Sequence, residues 1–273
     1  MRYNGATLPR RSPVTKYDFD ECVAIMRRLC SPDGCPWDNE QTLESVLKYF
    51  LEEAYEALDA ADKRDWPGLA EELGDTLWEI LFLARIAEQD GLFAIDDVLQ
   101  LLGEKMVRRH PHIFGAAKIE NSQQVVAQWS AIKKLEKNTT THAGVMHKVP
   151  KSLPALLYAY RISERAAKVG FDWENPAQVW DKVIEENGEL AEAIASGDRE
   201  YIEYELGDAI FALVNLGRHL GVNAEDAVRR CTNRFIERFE KVEEAVAAEG
   251  ADFKDKSIDE LEALWQRAKK DLG

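Results

Sequence analysis

The segment LEEAYEAL at 51–58 has a counterpart in IEENGELA at 184–191, and EELGDTLWEILFLAR at 71–85 has one in YELGDAIFALVNLGR at 204–218. Both pairs are separated by the same 133 residues. Glu52, Glu53, Glu56, Glu72 and Asp75 therefore align with Glu185, Glu186, Glu189, Glu205 and Asp208. Leu73–Gly74 aligns with Leu206–Gly207, and Arg85 with Arg218. A fixed long offset is the mark of a repeated structural unit. The chain carries two copies of one acidic helical hairpin, so it must fold as two similar halves.

Those halves are helical. Ala, Leu, Glu, Lys and Arg recur at three-to-four spacing, and convincing β-alternation is missing. Helices are predicted over 18–30, 43–62, 67–90, 95–109, 122–137, 153–168, 176–195, 199–219, 224–248 and 257–271. SPDGCPWD at 31–38 is turn-rich, HPHIFG at 110–115 ends a helix, and Gly91 and Gly221 close the two apolar helices. Thr, Gly, Pro and Lys in NTTTHAGVMHKVPKSLP mark a linker. The predicted organisation is a first domain over 1–137, a linker over 138–152 and a second domain over 153–273.

The formal charge of −15 argues against binding a nucleic-acid backbone, which wants a basic face. Free nucleotides stay possible, because a cation held by carboxylates inverts the local charge. The four cysteines make neither a zinc pattern nor a disulfide framework. Charge without an apolar segment in MRYNGATLPRRSPVTKYDFD gives no signal peptide, and runs such as AIFALV at 209–214 are too short to span a bilayer. A soluble cytoplasmic protein with no membrane association is expected.

On the helical wheel of 176–195, Val183, Ile184, Leu190, Ala191 and Ile194 form the predicted apolar face. Glu185, Glu189 and Glu192 lie roughly opposite, whereas Glu186 lies at the edge of that face, roughly 100° from Glu185. A solvated stripe explains Glu192 and does least for Glu186. The next helix has apolar residues in nearly every direction from Leu206 to Leu216, which predicts burial on most sides. It still carries Glu205 and Asp208 at i, i+3, as the first copy carries Glu72 and Asp75. Such acids repel unless a cation joins them. No lysine or arginine is expected at a neighbouring helical position within either cluster, and with no His or Cys nearby the oxygen donors suit Mg²⁺ or Mn²⁺. A single acidic pair of this kind is usually surface decoration; two pairs duplicated at one offset favour a metal.

The pattern E-E-x-x-E followed by E-x-x-D, with L-G between the last two acids, resembles the MazG family of all-α nucleoside triphosphate pyrophosphohydrolases. CPWDNEQT at 35–42, RRHPHIFG at 108–115, KVGFDW at 168–173, FALVNLGRHL at 211–220 and NRFIERFEKVE at 233–243 are similar to its tandem members. The resemblance runs from about residue 18 to the end. It implies two helical bundles that dimerise through helices, a Mg²⁺ cofactor (with Mn²⁺ as substitute), and hydrolysis of NTPs and dNTPs to monophosphate and pyrophosphate.

Carried over by position, the resemblance implies metal ligands at Glu186, Glu189, Glu205 and Asp208, and in the first copy at Glu53, Glu56, Glu72 and Asp75. It implies phosphate contacts from Arg234 and Arg238, matched at an offset of 129 by Lys105 and Arg109, and a base contact from Trp265. A basic family position before the E-x-x-D pair is Tyr201 here, a departure that removes one phosphate contact. Glu185 or Glu186 would take the proton of the attacking water. Asn215, seven residues after Asp208 on the same face, is placed to hydrogen-bond substrate; the first copy has Phe82 there, and Glu79 where the second has Ala212. These differences fit the second copy as the hydrolytic one. No P-loop, His-Asp pair or Glu-x-x-His pair is present, and the Nudix-like REYIEYELG fails in register. The alternative from another class is a non-catalytic, metal-stabilised helical dimer that binds a basic protein partner.

Overall fold

The computed structural model describes residues 17–115, part of 121–132, and 142–272. Among the described residues the elements are all helical. The chain divides into two compact units, residues 1–133 and 134–273. No described helix is long and apolar enough to cross a membrane.

The first unit contains α1 (Phe19–Leu29), α2 (Pro36–Asn39), α3 (Leu43–Asp62), α4 (Trp66–Gln89), α5 (Ile95–Arg109) and α6 (Pro111–Phe114). Polar caps start the principal helices: Asp18 accepts from the Glu21 N–H, Thr42 from Ser45 and Asp65 from Gly68. α3 and α4 form an antiparallel hairpin, and α1 and α5 pack on α4. Met26, Cys30, Val46, Leu81, Phe82, Ala84, Ile86 and Ile95 make their common core.

The second unit contains α7 (His142–Met146), α8 (Ala155–Ala167), α9 (Pro176–Ser196), α10 (Arg199–His219), α11 (Ala224–Ala248), a 3₁₀ turn (Phe253–Asp255) and α12 (Ile258–Leu272). Here α9 and α10 form the hairpin, while α8 packs on α10 and α11. Pro154 leaves the start of α8 without a side-chain cap, and the Glu225 carboxylate of α11 accepts from the Leu157 N–H at 3.2 Å instead. α11 and α12 close a smaller core of Val242, Val246 and Ala268.

The duplication extends into the hairpin turns. Gly197 is left-handed at φ 71°, and 133 residues earlier Arg64 takes the same conformation at φ 56°. The following Asp198 and Asp65 each cap the second helix of their hairpin. Glycine adopts this backbone freely, whereas arginine does so against its own Cβ.

Three expectations change. Residues 142–146, inside the expected linker, are helical; most of the helix expected over 122–137 lies outside the described residues, as do 138–141. The predicted apolar face of α9 turns Ile184 and Ile194 outward, 56% and 60% exposed. Its buried seam is Val179, Val183, Glu186 and Ala193. Nor is α10 buried on most sides: Glu205, Ala209, Ala212 and Val214 face inward, while Leu206, Ile210 and Leu213 form an exposed stripe at i, i+4, i+7. Small residues line the inner side because they let paired helices approach closely, so the larger side chains are left outside.

Candidate metal centre

Each hairpin gathers its acids. In the second unit Glu186 on α9 and Glu205 and Asp208 on α10 place carboxylate oxygens within 4.8 Å of one another. Glu186 occupies a seam position that an apolar residue would normally fill, and both it and Glu205 are 6% exposed. The Oε2 atom of each is buried without a hydrogen-bond partner. Such an oxygen is costly, because it has lost water and gained nothing in exchange. Burial, then Asp208 and Glu186, push the Glu205 pKa up, while Lys182 pulls it down. Glu189 lies outside this tight group but close beside it; burial, Glu186 and Glu205 raise its pKa.

In the first unit the gathered acids are Glu53 and Glu56 on α3 and Glu72 on α4, again within 4.8 Å. Burial, then Asp75 and Glu56, raise Glu53 to about 7, with a further contribution from its hydrogen bond to Glu72. Burial and Glu56 also raise Glu72. Asp75 is exposed and stands outside the tight group. Burial and crowding by its neighbours thus favour the protonated form of Glu53 in this cluster.

The second cluster relieves its repulsion differently, and here the sequence expectation was wrong. A basic residue does sit at a helical neighbour position: Lys182 Nζ lies 2.8 Å from Glu185 Oε1 and 2.7 Å from Glu186 Oε1. These contacts hold the lysine pKa above its ordinary value. The signal was available as the i, i+3 and i, i+4 spacings, which bring side chains together on a helix.

The two donor sets fit a hard divalent cation, since they are oxygen-only and the second contains two orphaned buried oxygens. Comparison with known proteins then fixes the family. The model of the MazG nucleotide pyrophosphohydrolase domain matches residues 41–114 and again 174–243, once on each acidic hairpin. The chain belongs to the MazG family. The nucleoside triphosphate pyrophosphohydrolase of Escherichia coli strain K12 is 41% identical over 92% of this chain and 97% of its own. The nucleoside triphosphate pyrophosphohydrolase/pyrophosphatase MazG of Thermotoga maritima is 42% identical over 92% and 95%. A solved MazG-related protein from Thermotoga maritima, 30% identical, aligns with 42% of this chain and 98% of its own at a TM-score of 0.38.

Beyond the carboxylates, the two MazG copies diverge. The Oδ1 of Asn215, expected to face substrate, accepts two hydrogen bonds from Arg218, at 3.0 and 2.8 Å. Arg218 also grips Asp172 with both terminal nitrogens, and His219 Nε2 lies 2.9 Å from the same carboxylate. Burial works against the Asp172 charge, but Arg218 and His219 hold its pKa below the usual range. Asn215 is thus part of a brace that ties the 171–173 loop to the end of α10. In the first copy Phe82 replaces Asn215 and is buried in the core, while Arg85 bonds Glu88 on its own helix at 2.8 Å. Glu79, in place of Ala212, is raised to about 7 by burial and then by Asp75 and Asp38, and its Oε2 is buried without a partner.

Of the expected phosphate contacts, Arg234 is exposed, and Arg238 and Lys105 are half-buried. Among the described residues none of these three forms an ion pair; Arg109 is half-buried and does have an interaction. Trp265 packs against the α11–α12 core with its ring 4.8 Å from that of Phe235, which is 54% exposed.

Proposed function

We propose that this chain hydrolyses nucleoside triphosphates, both NTPs and dNTPs, to monophosphate and pyrophosphate with Mg²⁺ as cofactor, and that the second copy carries the activity. The observation that carries the reading is the pair of orphaned, buried carboxylate oxygens on Glu186 and Glu205 beside Asp208. Similarity to the nucleoside triphosphate pyrophosphohydrolases of E. coli and Thermotoga maritima supports the substrate class.

Glu186, Glu205 and Asp208, with Glu189 alongside, would hold the ion; Glu53, Glu56, Glu72 and Asp75 are the corresponding set in the first copy. When bound, a divalent ion lowers the pKa of a coordinated water and neutralises phosphate charge. Glu185 or Glu186 would take the proton of the attacking water. Arg234 and Arg238, four residues apart on α11 and without ion-pair partners among the described residues, offer charge to the leaving pyrophosphate. The Trp265 ring, next to Phe235, gives the base a flat apolar contact. Leu206, Ile210 and Leu213 give an apolar stripe suited to a second copy, which supports a homodimer.

The test is pyrophosphate against orthophosphate release from a panel of NTPs and dNTPs, with and without Mg²⁺. Glu189→Ala should lower turnover at least about a hundredfold, while Glu56→Ala retains most of it. If no nucleotide is turned over while Mg²⁺ still stabilises the fold, the hydrolase reading fails and the carboxylates serve structure.

A further inference from the structure

We propose that Lys182 is the resident counter-cation of the second carboxylate cluster: it competes with the metal ion for Glu186, and Glu185 retains it when the ion enters. This rests on the metal-site reading above. One ammonium bridges two unlike carboxylates, at 2.8 Å from Glu185 and 2.7 Å from Glu186. The Glu185 side chain is 58% exposed and that of Glu186 is 8% exposed. The bridge therefore joins an outer acid to an inner one, and the inner acid belongs to the cluster with Glu205 and Asp208.

A divalent ion drawn to that cluster needs Glu186. With the lysine still in place, two positive centres would share one buried carboxylate, where water screens little. The lysine must then give up Glu186. It needs no helix movement to do so, because Glu185 stands one residue away on the same turn and faces solvent. The first copy supplies an internal contrast. At the position aligned with Lys182 it has Tyr49, whose ring lies 6.0 Å from that of Trp37, and no lysine or arginine pairs with Glu53, Glu56 or Glu72 among the described residues. Among the described residues the counter-cation is a device of the second cluster alone.

Two substitutions should then move metal affinity in opposite directions. Lys182→Met removes the competitor, so the ion binds more tightly, while the metal-free protein loses thermal stability through the uncompensated Glu186. Glu185→Gln removes the outer acid, leaves the lysine to Glu186 alone and weakens ion binding. Lys182→Arg keeps a bridging cation and should stay near wild type.

The measurement is a Mn²⁺ titration of the chelator-stripped, full-length chain without nucleotide, followed by calorimetry and by the EPR signal of free Mn²⁺. Glu205→Gln identifies the component that belongs to the second cluster. For that component Lys182→Met should bind about tenfold more tightly and Glu185→Gln several-fold more weakly, the scale of one charge moved near a partly exposed ion. Unchanged affinities, or shifts of the same sign in both variants, overturn the proposal while leaving the metal site standing. If wild type shows no component that Glu205→Gln removes, the metal-site reading and the proposal fall together. Should Lys182→Met fail to fold, the Glu185→Gln shift still decides, because that variant keeps the inner ion pair.

Discussion

Glu79→Gln in the first unit should stabilise the protein above the ordinary carboxylate pKa and do little below it. Glu79 has an ordinary pKa of 4.5 and is raised to about 7, chiefly by burial and then by Asp75 and Asp38. Between those two values the folded state binds the proton more tightly than the unfolded state. Its protonation therefore favours folding at low pH, and that benefit is lost as pH rises through about 7. At pH 8 the ionised group weighs against folding by about 3 kcal/mol if no solvent reaches it. Residual access through the half-buried side chain reduces this to about 2 kcal/mol. Glutamine has the same shape and cannot ionise. The variant should gain about 2 kcal/mol at pH 8, or roughly 6 °C in melting temperature, and less than about 0.5 kcal/mol at pH 5. Urea unfolding in chelator at both pH values gives the comparison, and native-state hydrogen exchange on α4 locates the gain. An equal gain at both pH values, or none at pH 8, would refute the assignment of the cost to a buried charge.

The turns and the brace give two further tests. Arg64→Gly should add about 1 kcal/mol in thermal unfolding, because glycine enters the left-handed region that arginine occupies at a cost; a loss would mean the arginine side chain does more than tolerate its backbone. Asp172→Asn should cost about 2 kcal/mol at pH 7, since Arg218, only 13% exposed, loses its charged partner. The Asp172 pKa is depressed, so its contribution is present above the ordinary carboxylate value and lost as pH falls through the folded one. The penalty should accordingly hold from pH 7 down to about pH 4 and shrink only below that in denaturant titrations, and a penalty that stays constant to about pH 2 would point to shape rather than charge.

Much of the site was legible because its logic is local. Glu186, Glu205 and Asp208 were expected from spacing, repetition and the family resemblance, and the structure brings them together. Lys182 was equally legible, since it stands one turn upstream of Glu186 at the i, i+4 spacing that pairs side chains on a helix. Which apolar side of α9 and α10 faces inward was not legible in the same way. A hydrophobic wheel weights Ile184, Ile194 and Leu206 above Ala193, Ala209 and Ala212, whereas close helix packing selects the alanines. The Asn215 brace was hidden too, because Asp172 and Arg218 are 46 residues apart in sequence and meet only through the fold.

Glu186 holds a seam position between Val183 and Ala193, where a leucine would make a firmer helix pair. Selection for a sturdier bundle and selection for chemistry therefore pull on this residue in opposite directions. A copy freed from its task would be expected to let that acid drift to an aliphatic residue. Glu53, at the matching place in the first copy, is still an acid. A carboxylate interrupting the inner line of an otherwise alanine- and valine-lined hairpin is thus a trace of use that can be sought in other chains, and its loss would date the point at which a duplicate became scaffolding.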